Sequence, residues 1–167
     1  MGLFEGISKL AGLSTFVTAV GFLVHLVGYG APYWIKDGSS NFGLWKYCSQ
    51  KKCIDVVGDD FPTEGWMEAV QAFETLAFLA NLATLALMGL RFTVMKEQKI
   101  LPIGIILFQF ASVGLILLGV IIFGVKSPFS TYGFAFGFEI TSANMILVAG
   151  IFSFVDWRST SLPAVKQ

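Results

Sequence analysis

Charged residues and histidine are scarce in this 167-residue chain. Asp, Glu, Lys and Arg make up 13% of the sequence, with eleven basic and eleven acidic residues and a formal net charge of zero. Since there is no basic run, binding to nucleic acid through phosphate contacts is not expected. Paired histidine ligands, a Ser/His/Asp set and a glycine-rich phosphate loop are also missing, and His25 is the single histidine. We therefore expect no enzyme, no metal and no cofactor.

Cysteine is nearly absent, and the two that occur are close together. Cys48 and Cys53 are separated by four residues, which is not the Cys-x-x-Cys spacing of a thiol oxidoreductase. Both lie in a polar, aromatic stretch, residues 34–53, where an oxidising compartment would join them. A disulfide that closes so short a loop contributes at the low end of the ~2–4 kcal/mol typical of disulfides, so its main role would be to fix strand register.

Apolar residues are abundant instead. They make up 55% of the chain, more than one soluble core of this size would bury. Four apolar segments each reach the ~20 residues that a membrane-spanning helix needs. We predict one domain, residues 1–167, in which these four helices form an antiparallel bundle with membrane lipid as its solvent. The predicted spans are about 10–33, 70–92, 101–125 and 134–155.

Charge and cysteine chemistry together suggest an orientation. With both termini and the 91–99 connection in the cytoplasm, six basic residues lie inside and five outside, which is a weak bias. The two cysteines give the stronger argument, because the loop that holds them belongs on an oxidising side. We expect a multi-pass protein of the plasma membrane with cytoplasmic termini and with loops 34–69 and 126–133 outside.

The first loop has the pattern of a small antiparallel sheet. Residues 41–48 alternate between two faces, and residues 53–57 form a β-branched run after a polar connection. This pattern predicts two strands with a turn between them.

The same loop carries a resemblance to a known family. Trp34, then Gly43-Leu44-Trp45, then Cys48 and Cys53 follow the first of four apolar segments. This order resembles the W-GLW-C-C signature of the claudin superfamily. Residues 67–73 and 132–136 resemble the branch that contains the epithelial membrane proteins, peripheral myelin protein and the lens fibre-cell intrinsic membrane protein.

The resemblance implies a left-handed four-helix bundle topped by an extracellular antiparallel sheet. Trp34 would lie where the sheet meets the helices, Gly43-Leu44-Trp45 on a strand, and the Cys48–Cys53 disulfide between neighbouring strands. It also implies a non-catalytic protein of cell–cell contacts or membrane organisation, which self-associates laterally as a homo-oligomer and adheres through its sheet. An auxiliary subunit of a channel or receptor complex is the alternative.

Two departures from the family narrow these expectations. The chain ends Pro-Ala-Val-Lys-Gln, without the hydrophobic C-terminal residue that a PDZ groove binds, so a PDZ scaffold is not an expected partner. The Arg that claudins usually place near the top of the second span has no counterpart here, which makes a paracellular pore the less favoured activity.

Candidate contact residues fall into two groups. Lys51, Lys52, Asp59 and Asp60 are candidates at the tip of the first loop, and Glu139, Phe134, Phe136 and Phe138 at the outer end of the fourth span. Glu139 and Glu74 each lie about one turn inside a span. Three interpretations stay open for them: a carboxylate that reaches headgroup water, a hydrogen bond to a group such as Gln71, Asn144 or His25, or a lateral partner site.

Overall fold

The computed structural model describes residues 8–50, 52–56, 65–93, 100–127 and 131–161, and it is mainly helical. Four long helices lie at α1 (Lys9–Gly30), α2 (Gly65–Thr93), α3 (Ile100–Lys126) and α4 (Phe134–Ser161). Each is long and apolar enough to cross a membrane. Between α1 and α2 lie four short strands, β1 (Ile35–Asp37), β2 (Ser40–Phe42), β3 (Lys46–Ser49) and β4 (Lys52–Asp55).

Local sequence sets both ends of α1. Ser8 is the N-cap, and its Oγ accepts a hydrogen bond from the Ala11 N–H at 3.0 Å. The last backbone bond runs from the Ala31 N–H to the Val27 carbonyl, and the next residue is Pro32, which has no N–H to continue the ladder. The helix therefore stops three residues short of the predicted span.

The second helix begins earlier than its predicted span. It starts at Gly65, five residues before the predicted apolar span at about residue 70. The residues between are less apolar than the span, so hydropathy alone does not include them. Met67, in that turn, is 2% exposed and packs into the core beneath the sheet. The first turn of α2 is thus part of the sheet–helix contact.

Contacts between helices give an antiparallel bundle. The Ser14 hydroxyl donates to the Ala149 carbonyl at 2.8 Å, and the Ser142 hydroxyl donates to the Gly21 carbonyl at 2.9 Å. Earlier residues of α1 thus meet later residues of α4. The same reversal relates α2 to α3, where Gly104 faces Leu87 and Gly119 faces Glu74.

The sheet has four strands in the order β1-β2-β3-β4, and every neighbouring pair is antiparallel. The prediction of two strands was wrong, since residues 41–48 do not form one strand. They divide between β2 and β3, and Gly43-Leu44-Trp45 connects the two. Alternation over so few residues does not distinguish one strand from a hairpin.

An apolar cluster joins the sheet to the bundle. It contains Trp34, Leu44 and Val56 from the sheet region and Phe123 and Ala135 from the helices, all at most 2% exposed. The outer edge of β1 is also attached to the segment before α4. The Lys36 N–H donates to the Thr131 carbonyl at 3.2 Å, so the sheet is fixed to the helices at β1.

Candidate functional site

Trp34 completes the hydrogen bonding at the end of α1. Its side chain is fully buried, and its indole Nε1–H donates to the Gly28 carbonyl at 2.8 Å. That carbonyl would normally accept from the N–H of residue 32, which is proline. The ring packs edge-on against Phe123 at 4.7 Å between centroids. The position of Trp34 is as predicted, at the meeting point of sheet and helices.

The Gly43-Leu44-Trp45 segment packs between the sheet and the bundle. It connects β2 to β3, so the prediction that it lies on a strand was wrong. A Cβ at Gly43 would lie 2.5 Å from the Pro32 Cα, so only glycine fits there. Leu44 is fully buried, and its carbonyl accepts from the Gln71 side chain at 2.6 Å. Trp45 packs edge-on against Tyr29, with ring centroids 5.1 Å apart.

The predicted disulfide is present. Cys48 and Cys53 are bonded, face each other in the β3–β4 register, and have Cα atoms 4.0 Å apart. So small a separation is typical of an antiparallel pair without backbone hydrogen bonds between the two residues. The disulfide therefore fixes the register of the last hairpin.

The outermost strand, β4, lies at the surface. All four of its residues, Lys52–Asp55, are exposed, and β3 is its only neighbour among the residues that the structure describes. Lys52, a predicted contact residue, lies on this strand. Lys51, Asp59 and Asp60 lie outside the described residues.

The predicted aromatic contact surface is divided in two. Phe134 and Phe138 are 50% and 39% exposed, and their rings lie 5.5 Å apart. Phe136 is half-buried and packs against Trp34 at 5.6 Å and Phe123 at 5.8 Å. The helical turn directs it toward the bundle, and its role as a contact residue stays a prediction.

Glu139, another predicted contact residue, does not lie on the surface. It is fully buried, as are Glu74 and His25, and the three residues form a cluster that we call the buried triad. The Glu139 carboxylate lies 2.6 Å from Nδ1 of His25. Of the three interpretations left open, burial of both carboxylates excludes the one in which they reach headgroup water. Of the three hydrogen-bond partners considered, Glu139 contacts His25.

Two glycines make room for the triad. A Cβ at Gly28 on α1 would lie 2.5 Å from Oε1 of Glu139, and one at Gly119 on α3 would overlap the Glu74 carboxylate. One donor atom from each triad residue lies within 4.8 Å of the others. Imidazole nitrogen and carboxylate oxygen together can hold a metal ion.

A second polar group lies deeper in the bundle. The Gln109 amide donates to the Thr18 hydroxyl at 2.9 Å, and the hydroxyls of Ser14 and Ser153 are 2.7 Å apart. At the helix ends away from the sheet, Arg91 binds the buried Asp156 carboxylate at 2.8 Å, and Ser8 also bonds to it. These contacts were not predicted. Polar residues that recur on the buried face of an apolar helix were the available signal.

Comparisons with known proteins identify no relative. Neither a scan of protein-family models nor a search of curated protein sequences finds a match to this chain.

Proposed function

We propose that this chain is an integral membrane protein of the claudin type, set in the plasma membrane with both termini in the cytoplasm and the sheet outside. Its role is non-catalytic: it brings copies of itself together at cell contacts or within one membrane. The order of features along the chain supports the family assignment. Trp34 is buried where the sheet meets the bundle, and the Cys48–Cys53 disulfide joins neighbouring strands, both as the resemblance implies. Gly43-Leu44-Trp45 lies between them in sequence and connects β2 to β3.

The outer faces of the helices support insertion in lipid. Large apolar side chains there include Phe16, Leu107 and Ile121, which are 66%, 65% and 58% exposed. Such surface is unfavourable in water and favourable against acyl chains. The disulfide supports an oxidising environment for the sheet, hence its placement outside the cell.

The single observation that carries self-association is the outer edge of β4, which has no partner strand among the residues that the structure describes. The Val56 N–H donates to the Trp45 carbonyl at 2.8 Å, so Val56 faces β3. Because the direction of backbone groups alternates along a strand, Ile54 also bonds toward β3. The N–H and C=O groups of Cys53 and Asp55 therefore point to the free edge. Unpaired groups of this kind are a template for another strand.

The alternation also limits how a second copy would pair. In an antiparallel pair, residues with outward backbone groups must face each other. The register that pairs both Cys53 and Asp55 sets Cys53 of one copy opposite Asp55 of the other. The pairing is symmetric about Ile54, which would face the second copy's Ile54. Ile54 is 39% exposed, and this contact would cover it. A symmetric contact of this type closes as a dimer.

A crosslinking experiment tests the pairing. Residues that face each other without backbone bonds have Cα atoms about 4.5 Å apart, within the range that a disulfide accepts. Ile54→Cys should thus form a covalent dimer in intact cells, seen on a non-reducing gel. Lys52→Cys is the matched control, because two such residues would be about 13 Å apart along the paired strands.

A second pair of variants separates edge pairing from simple proximity. Asp55→Pro removes an N–H that faces the free edge and leaves the β3–β4 bonds in place. Combined with Ile54→Cys in the same chain, Asp55→Pro should abolish the covalent dimer, whereas Asp55→Asn should preserve it. Dimers that form equally with Ile54→Cys and Lys52→Cys would contradict pairing through β4.

The auxiliary-subunit alternative is supported by a different surface. Phe134 stacks on Tyr33 at 5.0 Å and contacts Phe138, and all three rings are at least one third exposed beside the sheet. Exposed aromatic groups of this type are frequent in protein interfaces. If Ile54→Cys gives no dimer and a photocrosslinker at Phe138 captures one defined membrane protein, the alternative is favoured.

A further inference from the structure

We propose that the buried triad of His25, Glu74 and Glu139 binds one divalent transition-metal ion of the zinc type inside the bundle. This inference is independent of the proposed function, since the site lies away from the β4 edge. The three residues come from α1, α2 and α4, so an ion held by them would link three of the four helices.

The triad has the geometry of a ligand set. One donor atom from each residue lies within 4.8 Å of the other two, and all three side chains are 0% exposed. A tetrahedral zinc ion with ligands at about 2.0–2.1 Å separates its ligand atoms by about 3.3 Å. Small side-chain rotations would therefore bring the three donors around one ion without moving the helices.

Most polar atoms of the triad have no partner within the described part of the chain. They are Nε2 of His25, both carboxylate oxygens of Glu74 and Oε1 of Glu139. Burial of unpaired polar atoms is strongly unfavourable, and native proteins rarely leave them so. Coordination of a cation would satisfy several of these atoms at once.

Charge and donor type specify the ion. Two carboxylates and a neutral imidazole carry a charge that one divalent ion neutralises. An imidazole ligand favours zinc and its neighbours in the first transition series over magnesium and calcium, which prefer oxygen ligands alone. Nδ1 of His25 lies 2.6 Å from the Glu139 carboxylate, so an ion that both residues coordinate would take the place of this contact.

The residues around the triad leave space for its two carboxylates and shield them from solvent. Gly28 and Gly119 leave the space that Glu139 and Glu74 occupy. The apolar cluster around Trp34 lies between the triad and the sheet, and Trp34 bonds to the carbonyl of Gly28 itself. An ion in this position would be enclosed, so it should be retained through purification.

Metal analysis of the full-length protein tests the proposal. The chain is expressed in zinc-supplemented cells, purified in detergent without chelator, and analysed by mass spectrometry for metals. We expect one zinc per chain. After zinc removal, titration with Co²⁺ should give the visible absorption of a low-coordinate cobalt site at one equivalent.

Variants that each remove one ligand show whether the triad is the binding site. Loss of an outer-shell partner weakens metal sites by about 10–100-fold, so loss of a ligand in Glu74→Gln or His25→Gln should weaken Co²⁺ binding by at least about tenfold. Asp156→Asn is the matched control, because it changes a buried carboxylate to an amide at the other end of the bundle and should leave binding unchanged. For each variant, only protein that elutes at the volume of the folded wild-type protein is used in the comparison.

Two results would overturn the proposal. Wild-type protein that carries no zinc and takes up no Co²⁺ at one equivalent would show that the triad holds no such ion. Binding that is as tight in Glu74→Gln and His25→Gln as in the wild type would place the metal elsewhere. The wild-type measurement decides the question even if both variants fail to fold.

Discussion

The hydrogen bond from Trp34 to the end of α1 yields the sharpest stability prediction. Trp34→Phe keeps an aromatic ring against Phe123 and removes the indole N–H. The Gly28 carbonyl then has no donor, because residue 32 is proline. An unpaired buried acceptor costs about 1–3 kcal/mol. The smaller ring adds at least the ~0.8 kcal/mol of one buried methylene group.

We therefore expect Trp34→Phe to lower the free energy of unfolding by about 2–4 kcal/mol. Trp45→Phe is the matched control. The Trp45 indole N–H is buried and has no hydrogen-bond partner among the described residues, so its removal leaves no orphaned acceptor. Its ring is only half-buried. This change should cost about 1 kcal/mol or less.

The two variants are compared by reversible denaturant unfolding in the same detergent, with the disulfide intact. The expected result is a clearly lower midpoint for Trp34→Phe than for Trp45→Phe. Equal losses would refute the reasoning, because they would show that ring size alone, and not the bond to Gly28, sets the energetics.

Two further predictions concern the helices. Gly119→Ala places a methyl group against the buried carboxylate of α2 and should destabilise the fold by about 1–3 kcal/mol; Gly114→Ala, with no atom within 4 Å of its Cβ, should be neutral or stabilising. Arg91→Met leaves the buried Asp156 without its cation and should cost about 2–3 kcal/mol, below the ~3–5 of a fully buried pair because the Arg91 side chain is 20% exposed. The exposed Arg158→Met should change stability by less than about 0.5 kcal/mol. Thermal or denaturant unfolding of each pair checks both, and losses that do not differ within a pair would contradict them.

The four helices could be predicted because an apolar run of some twenty residues has few other uses. Their boundaries were less accessible. Pro32 ends α1 through a missing N–H, and the first turn of α2 mixes Trp66 and Met67 with Glu68, which a hydropathy reading assigns to a loop. Helix ends depend on local hydrogen bonding, which average polarity does not describe.

The presence of an antiparallel sheet was predicted, but the number of its strands was not. Its strands are three or four residues long, too short for alternation to be distinguished from chance. Gly43 could have indicated the break, since a glycine inside a strand pattern often marks a bend or a close backbone approach. It lies against Pro32, a contact between segments that no local pattern contains.

The buried triad shows most clearly what sequence alone leaves open. His25, Glu74 and Glu139 could each be placed near the sheet end of a helix, so their proximity was within reach. Whether a carboxylate points inward or toward lipid headgroups depends on helix rotation. Glu74 lies on the buried face of α2 with Val70, Ala77 and Asn81, at spacings of three or four residues. That spacing could have indicated that Glu74 points into the bundle. The alanines along the same helix made its buried face harder to distinguish.

The proposed role of the sheet is tested most directly at living cell contacts. Tagged protein is expressed in cells without junction proteins of their own, and its density is imaged where two expressing cells touch and where an expressing cell touches a silent one. Self-association through the sheet predicts enrichment at matched contacts only, loss of that enrichment with Asp55→Pro, and its retention with Asp55→Asn. An even distribution at both kinds of contact, or enrichment that Asp55→Pro leaves unchanged, would contradict adhesion through the β4 edge.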